Sequence, residues 1–419
     1  MAARGPSRNA QAFTLPTIVA LSLFMAAMLG FFQVAMAGEA FIAALIASAY
    51  FLAIYVAMIA TGEIAKWRRV FFVSVAILFV PSFMAMIFES RGSMSVSDLE
   101  AFKNEVPFCH IVLPSAILPY LLTGDLIFPA QLKNYFASFY AMLAIWLIAT
   151  LTVGRGWCSW VCFYGGWDDG FSRASKRARI KVEDPSGKIR YFNFAMLAFV
   201  VLASLGTLSA VYCTWLCPFK TVTEFGAPEN LASYLAMLAF VLLFFGLAVA
   251  LPILTRKRTQ CMSFCPFGAF QSLADKASPY RVRVDRSKCV DCGACVAACP
   301  TLSLSPESVL AGKTLITCTK CGECMRACPK GAIDYAFAWS KSCGDPRSLF
   351  DRLRAGVQGS GIISRIARAA LAAADEIASP RALMVTSGYL IGCIIGGSFA
   401  SDSIRRLIHL FTTGSFLLK

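Results

Sequence analysis

Seven long apolar runs dominate this chain, each close to the ~20 residues that an α-helix needs to cross a bilayer. They lie near residues 13–36, 40–61, 70–89, 134–153, 192–212, 231–253 and 382–400. Only 15% of the residues are charged, whereas an average soluble protein carries roughly 25%. The pattern predicts a multi-pass α-helical membrane protein with about six to seven transmembrane helices, and argues against a large soluble enzyme. The first run is too long for the apolar core of a signal peptide and is expected to remain as an anchor.

The charges between the runs set an orientation, because Lys and Arg concentrate in cytoplasmic loops. Arg4 and Arg8 precede the first run, and Lys66, Arg68 and Arg69 follow the second. Arg155, Arg173, Lys176, Arg177, Arg179, Lys181, Lys188 and Arg190 follow the fourth, and Arg256, Lys257 and Arg258 follow the sixth. If the runs alternate, all of these share one side, and the opposite loops 90–133 and 213–230 carry few cations. The N-terminus, the basic loop and residues 255–381 are therefore expected on the cytoplasmic side of a bacterial inner membrane. The net charge of +15 (39 Lys+Arg against 24 Asp+Glu) is mostly this topological signal. No recognisable nucleic-acid module accompanies it, so no nucleic-acid partner is expected. Arg405 and Arg406 run against the rule and leave the orientation of the last segment open. That segment carries Gly388, Gly392 and Gly396, a doubled GxxxG suited to close helix packing. Residues 349–377 mix Arg352, Arg354, Arg365 and Arg368 with Leu349, Phe350, Ile362, Ile363 and Ile366. They suit either an amphipathic helix on the membrane surface or a domain-packing helix.

The 17 Cys carry the chemistry. Residues 289–300 read CVDCGACVAACP and residues 318–329 read CTKCGECMRACP. Each is the C-x2-C-x2-C-x3-C-P run of bacterial ferredoxins, which ligates [4Fe–4S] clusters through thiolates. Three Cys within seven residues wrap one corner of a cube, and the fourth points towards the neighbouring cluster. One cluster is therefore expected on Cys289, Cys292, Cys295 and Cys328, and the other on Cys318, Cys321, Cys324 and Cys299. The flanking Arg281–Asp285 and Ala332–Ala336 alternate like short strands of a small α+β domain. Zinc or disulfides fit less well, since disulfides are disfavoured in the cytoplasm and zinc sites rarely repeat this four-Cys run. The two His, His110 and His409, are too few for a membrane cytochrome with paired axial ligands. No CxxCH haem-attachment motif occurs either, so no haem is expected.

Three C-x3-C pairs lie just beyond apolar runs: Cys158/Cys162, Cys213/Cys217 and Cys261/Cys265. If the helix continues, residues four apart share a face at about 5–6 Å, too wide for a relaxed disulfide at ~3.8 Å but suited to gripping one cluster. Cys158, Cys162, Cys261 and Cys265 fall on the cytoplasmic face by the alternation and are expected to hold a third cluster. Arg155, Arg256 and Arg258 are near enough to stabilise thiolates. Cys213 and Cys217 fall on the outer face, where the 90–133 loop adds Cys109 and His110. Cys109, Cys213 and Cys217, with His110 or a further group, offer an outer metal site, and hence a fourth centre. A disulfide at Cys109, or a deeper position in which Cys213 and Cys217 share a cluster with another pair, stays open. Cys343 and Cys393 are read as structural.

These motifs resemble the NapH/NosR-type membrane-bound polyferredoxins, most clearly in GRGWCSWVC (154–162), in Cys261-x3-Cys265-Pro266 and in the two ferredoxin runs. The resemblance covers about residues 134–336. It implies electron transfer between the quinone pool or a redox partner and a respiratory or maturation pathway. The chain departs from that pattern where Phe163, not Pro, follows Cys162, and where Cys213-x3-Cys217-Pro218 forms an extra motif. The expected layout is a helical domain over 1–254, a connector over 255–279, a two-cluster ferredoxin domain over 280–337, a linker or amphipathic region over 338–381, and a last membrane segment over 382–419. No nucleophile–base pair, dinucleotide fingerprint or covalent flavin motif is present, and no substrate site of its own is expected. The expected partners are the membrane, a cytoplasmic redox protein and a quinone or periplasmic-side redox partner, within a multi-subunit complex. The competing reading is a scaffold or assembly subunit whose clusters are structural, with the doubled GxxxG docking a partner.

Overall fold

A computed structural model describes residues 12–35, 37–91, 109–124, 139–220, 230–340 and 362–418. Arg4, Arg8, Cys343, Arg352, Arg354 and most of the 90–133 loop lie outside the described residues.

The fold is mostly helical. Six helices are long and apolar enough to cross a membrane: Leu15–Val34, Gly38–Thr61, Ile64–Met86, Lys188–Thr207, Tyr234–Thr255 and Pro380–Thr413. The run near 134–153 gives a helix over Met142–Thr152 that bends by 115° into Gly154–Trp160. Among the helices we label α1 (Leu15–Leu29), α2 (Phe41–Thr61), α3 (Ile64–Arg91), α4 (Leu113–Thr123), α5 (Phe139–Thr152), α6 (Phe163–Ala174), α7 (Lys188–Thr207), α8 (Leu231–Leu243), α9 (Pro266–Ala274), α10 (Ile362–Ile377) and α11 (Pro380–Thr413).

The doubled GxxxG of α11 is used within the chain. A Cβ at Gly392 would stand 2.5 Å from the Trp160 carbonyl oxygen and 2.8 Å from the Phe71 ring. One at Gly388 would meet the Trp160 ring, and one at Gly396 would meet Val75. The small residues let α11 lie against α3 and the Trp157–Trp160 turn, so this face is covered by the chain itself. Arg405 and Arg406, which break the charge rule, are neutralised where they stand. Arg406 makes a two-pronged contact with Glu89 at 2.6 and 2.9 Å and reaches Asp402 at 2.6 Å. Arg405 pairs with Glu39 at 2.7 Å.

The small domain contains strands β1 (Tyr280–Val284) and β2 (Ile333–Phe337), paired antiparallel with Val282 opposite Tyr335. Each strand is one residue displaced from its sequence expectation. Between them lie three short helices: Ala294–Ala298 and Glu323–Ala327, one in each cysteine run, and Pro306–Leu310 between the runs.

Basic residues at one end of the bundle fasten this domain. The Arg258 amide donates to the Pro300 carbonyl at 2.8 Å. Lys257 Nζ donates to the carbonyls of Cys299 (2.8 Å) and Ala297 (3.1 Å), and Arg173 donates to Ala298 at 3.2 Å. From the domain, Lys320 Nζ donates to Val153 O (3.0 Å) and to Asp275 Oδ1 (2.7 Å). The loops that read as basic in sequence thus converge on the small domain. Of the 349–377 region, residues 362–377 form α10, whose Glu376 caps the start of α1 by accepting from the Thr14 amide at 3.0 Å.

Candidate iron–sulfur sites

The two ferredoxin runs fold into pseudo-equivalent loops that each close a cavity. Cys289, Cys292, Cys295 and Cys328 line one cavity of about 210 Å³, floored by Val309 and Ile333. Cys299, Cys318, Cys321 and Cys324 line a second, narrower one. In both, the fourth Cys of one run joins the three of the other, as the spacing implies. The amides of Ser303 and Ala332, each four residues past a fourth Cys, donate to Cys299 Sγ (3.1 Å) and Cys328 Sγ (3.2 Å). Such N–H···S bonds are among the levers that set a cluster's potential.

The two cavities differ in exposure. Cys292 is exposed, whereas Cys321 and Cys324 are buried beneath the helices. Burial pushes the Cys318 thiol up to about 12 and lowers the Lys320 ammonium pKa against the opposing pull of Asp275. Metal binding would be needed to hold such buried thiols deprotonated.

The C-x3-C pairs do not sit on continuing helices at the ends of the spans. After α5 the chain turns at Gly154, whose φ of +58° favours glycine and where a Cβ would collide with Asp275. After the sixth run it turns at Arg256, also left-handed at φ +56°. Both turns send the chain back alongside the bundle. Arg68 of α3 pairs with Asp169 of α6 at 2.7 Å. Further along, the Phe79 and Phe163 rings stack at 4.0 Å. α6 therefore runs antiparallel to α3, and its first residue lies fifteen residues beyond Ile64, where α3 begins.

Cys162 caps the N-terminus of α6 and Cys265 caps that of α9. Both are extended, at φ −67°, ψ 115° and φ −81°, ψ 113°. Proline biases the preceding residue to this region, but Phe163 follows Cys162, so the departure from Pro does not alter the backbone. The amides of Gly165, Phe267 and Gly268 lie near the Cys162 and Cys265 sulfurs. Two helix N-termini thus face one place, an arrangement that favours an anion.

Cys158, Cys162, Cys261 and Cys265 are close enough to feel one another's charge. They are framed by an internal repeat, R-x2-C-x3-C-x2-G, over 155–165 and 258–268. Arg258 donates to the sulfur of its own first Cys, Cys261, at 3.3 Å, and Arg155 lies near Cys158 in the same relation. Arg258 crosses to the other repeat, and Arg155 reaches α9, the helix that follows Cys265. Arg258 donates to the carbonyls of Cys158 (2.6 Å) and Gly165 (3.2 Å) and to Ser159 Oγ (2.8 Å), while Arg155 donates to Ser272 Oγ. A Cβ at Gly165 would stand 2.6 Å from Cys158 O, and one at Gly268 would stand 3.1 Å from Cys261 O. Cys213 and Cys217 have Ala210 and Lys220 at the corresponding places. Spacing within the sequence could have revealed this repeat, whereas the crossing needed the fold.

The residues read as an outer site are divided. His110 Nε2 lies 3.2 Å from Cys162 Sγ, and its ring packs on Phe267 at 4.9 Å. Cys109 Sγ lies 3.7 Å from the Tyr164 hydroxyl, and Gln260 Nε2 donates to the Tyr212 hydroxyl at 3.0 Å. Cys393, read as structural, is buried on α11. Among the described residues no two Cys form a disulfide. Nor do three His, Cys, Asp or Glu side chains there converge on a single-ion position. A zinc ion needs sulfurs ~2.3 Å from one point, whereas a four-iron cube spreads its ligands wider.

The comparisons agree with this chemistry. Residues 282–305 and 317–334 match a family described as a 4Fe-4S binding domain. Residues 135–181, 189–228 and 237–284 match a second family of the same description, and each of these three segments holds one C-x3-C pair. These segments of a mostly helical fold thus match 4Fe–4S binding domains.

It is similar to YccM of Escherichia coli (strain K12), whose name gives it provisionally as an electron transport protein, at 23% identity over 179 residues. That alignment covers 41% of this chain and 48% of YccM, so the chain spans about half the length of that relative. It is also similar to the uncharacterized protein MJ0750 of Methanocaldococcus jannaschii, at 26% identity over 40% of this chain and 68% of the relative. No solved structure matches.

Proposed function

We propose that this protein is a membrane-integral electron carrier that relays electrons between a cytoplasmic redox partner and the membrane. [4Fe–4S] clusters are held by Cys289, Cys292, Cys295 and Cys328, by Cys318, Cys321, Cys324 and Cys299, and by Cys158, Cys162, Cys261 and Cys265. When bound, each supplies reversible one-electron chemistry.

The observation that carries the reading is the lining of the two cavities by the two crossed sets of four Cys. The exposed set around Cys292 meets the soluble partner. The buried set abuts the bundle through Arg68, which donates to Cys321 O (3.0 Å) and Ser159 O (2.7 Å). The bundle set then receives or supplies the electron on the membrane side, where a quinone or a periplasmic-side redox protein completes the exchange. Arg155 and Arg258 offset the negative charge that a reduced cluster gains, and the two helix N-termini do the same. The ferredoxin domain faces the bacterial cytoplasm, because the basic loops gather at its end of the bundle. The scaffold reading loses its main support, since the GxxxG face packs against Trp160, Phe71 and Val75.

The test is an anaerobic redox titration of the purified chain followed by electron paramagnetic resonance. All clusters are expected to reduce and reoxidise reversibly. Clusters that stay in one redox state across the titration would favour the scaffold.

A further inference from the structure

We propose that Cys109, Cys213 and Cys217 hold a further [4Fe–4S] cluster inside the helix bundle, next to the Cys158/Cys162/Cys261/Cys265 site, with its fourth corner supplied by a group other than cysteine. This rests on the electron-carrier reading and extends its route through the bundle.

The Cys213–Cys217 segment has the backbone of the neighbouring cluster motif. A wide turn over Tyr212–Leu216 ends in an extended Cys217 at φ −72°, ψ 113°, as the turn over Gln260–Phe264 ends at Cys265. In both, the residue three places on donates its amide to the carbonyl of that Cys at 3.2 Å.

Cys109 arrives from another part of the chain, just before α4. Its sulfur meets the Tyr164 hydroxyl at 3.7 Å, and the Tyr164 ring packs at 4.3 Å on Phe219, two residues past Cys217. Tyr164 feels the charges of Cys109, Cys217 and Cys162, and Tyr212 those of Cys265, Cys217 and Cys213. These two tyrosines, both buried, each stand beside thiols of both sets. His110 faces Cys162 across 3.2 Å and so belongs to the neighbouring site. Cys393 lies beside Tyr55 and Tyr389 on α2 and α11, which leaves three thiolates here.

In operation one cluster loses an electron as its neighbour gains one, with no bond made or broken. The step carries the electron away from the ferredoxin domain towards the far end of the bundle.

The test is iron content and Mössbauer spectroscopy on the full chain, purified anaerobically in detergent. Wild type is expected to hold about sixteen irons, four per cluster, with one iron spectroscopically distinct. Cys217→Ser is expected to hold about twelve irons and to keep the ferredoxin signals and the signal that depends on Cys261. If that variant does not accumulate, Cys109→Ser, on a different element, should give the same loss. A wild type with about twelve irons, unchanged by either substitution, overturns this cluster and leaves the electron-carrier reading standing. If Cys261→Ser also loses no iron, the neighbouring bundle site fails as well.

Discussion

Replacing Cys261 with serine is expected to remove about four irons while both ferredoxin-domain clusters remain. Cys261 sits in a wide turn of its own, fixed from three sides. Its amide donates to Asp168 Oδ2 at 2.8 Å, its sulfur accepts from Arg258, and its carbonyl packs on Gly268. Serine preserves the shape but offers a poor ligand to iron. The two ferredoxin cavities draw no ligand from this segment, so the loss should be confined to one centre. Iron quantitation together with paramagnetic resonance of the dithionite-reduced protein checks both parts. An unchanged iron content would exclude Cys261 as a ligand.

Arg68→Ala is expected to destabilise the junction between the bundle and the ferredoxin domain by about 3–5 kcal/mol, the range for removing one partner of a buried ion pair. Arg68 is fully buried and its guanidinium spans three elements. It donates to Cys321 O in the domain, to Ser159 O beside the bundle site and to Asp169 of α6. Removing it leaves two carbonyls without a donor and the Asp169 carboxylate with only the longer Arg69 pair at 3.8 Å, and opens the packing between two proposed clusters. Arg68→Lys should recover only part of the loss, because an ammonium does not reproduce the planar fork. Thermal unfolding in detergent reads the stability. A fall in the rate of electron exchange between the ferredoxin and bundle signals reads the junction. A variant as stable as wild type would remove Arg68 from this role.

The ferredoxin domain was legible because its information is local. Four Cys at fixed spacing, the Gly between them and the Pro after them specify a loop almost without reference to the rest of the chain. The crossed assignment of Cys299 and Cys328 follows from the same spacing. The long helices were legible for a similar reason, since length and apolar character are local properties.

The bundle site was only half legible. Residues 154–162 and 261–265 read as simple ends of spans because hydropathy cannot register a reversal. The 115° bend after Thr152 depends on Gly154 fitting against Asp275, more than a hundred residues away. The reversal at Arg256 uses a left-handed arginine that no turn signal marks. Position along the bundle was not legible: the alternation of runs sets Cys162 and Cys265 at the ends of spans, whereas Phe163, next to Cys162, stacks on Phe79 midway along α3. His110, grouped by the sequence with Cys109, Cys213 and Cys217, stands instead at Cys162, a contact that only the fold reveals. Conversely, the R-x2-C-x3-C-x2-G repeat stood in the sequence, and its glycines and arginines tie Cys158 and Cys162 to Cys261 and Cys265 more firmly than topology did.

The most direct test of the electron-carrier account is rapid freeze-quench paramagnetic resonance of the anaerobic, fully oxidised protein mixed with a water-soluble low-potential reductant. Signals from the two ferredoxin clusters should appear first. The signal abolished by Cys261→Ser should follow, and it should be delayed in Arg68→Ala. A Cys261-dependent signal that never develops while the ferredoxin clusters reduce and reoxidise would contradict the account.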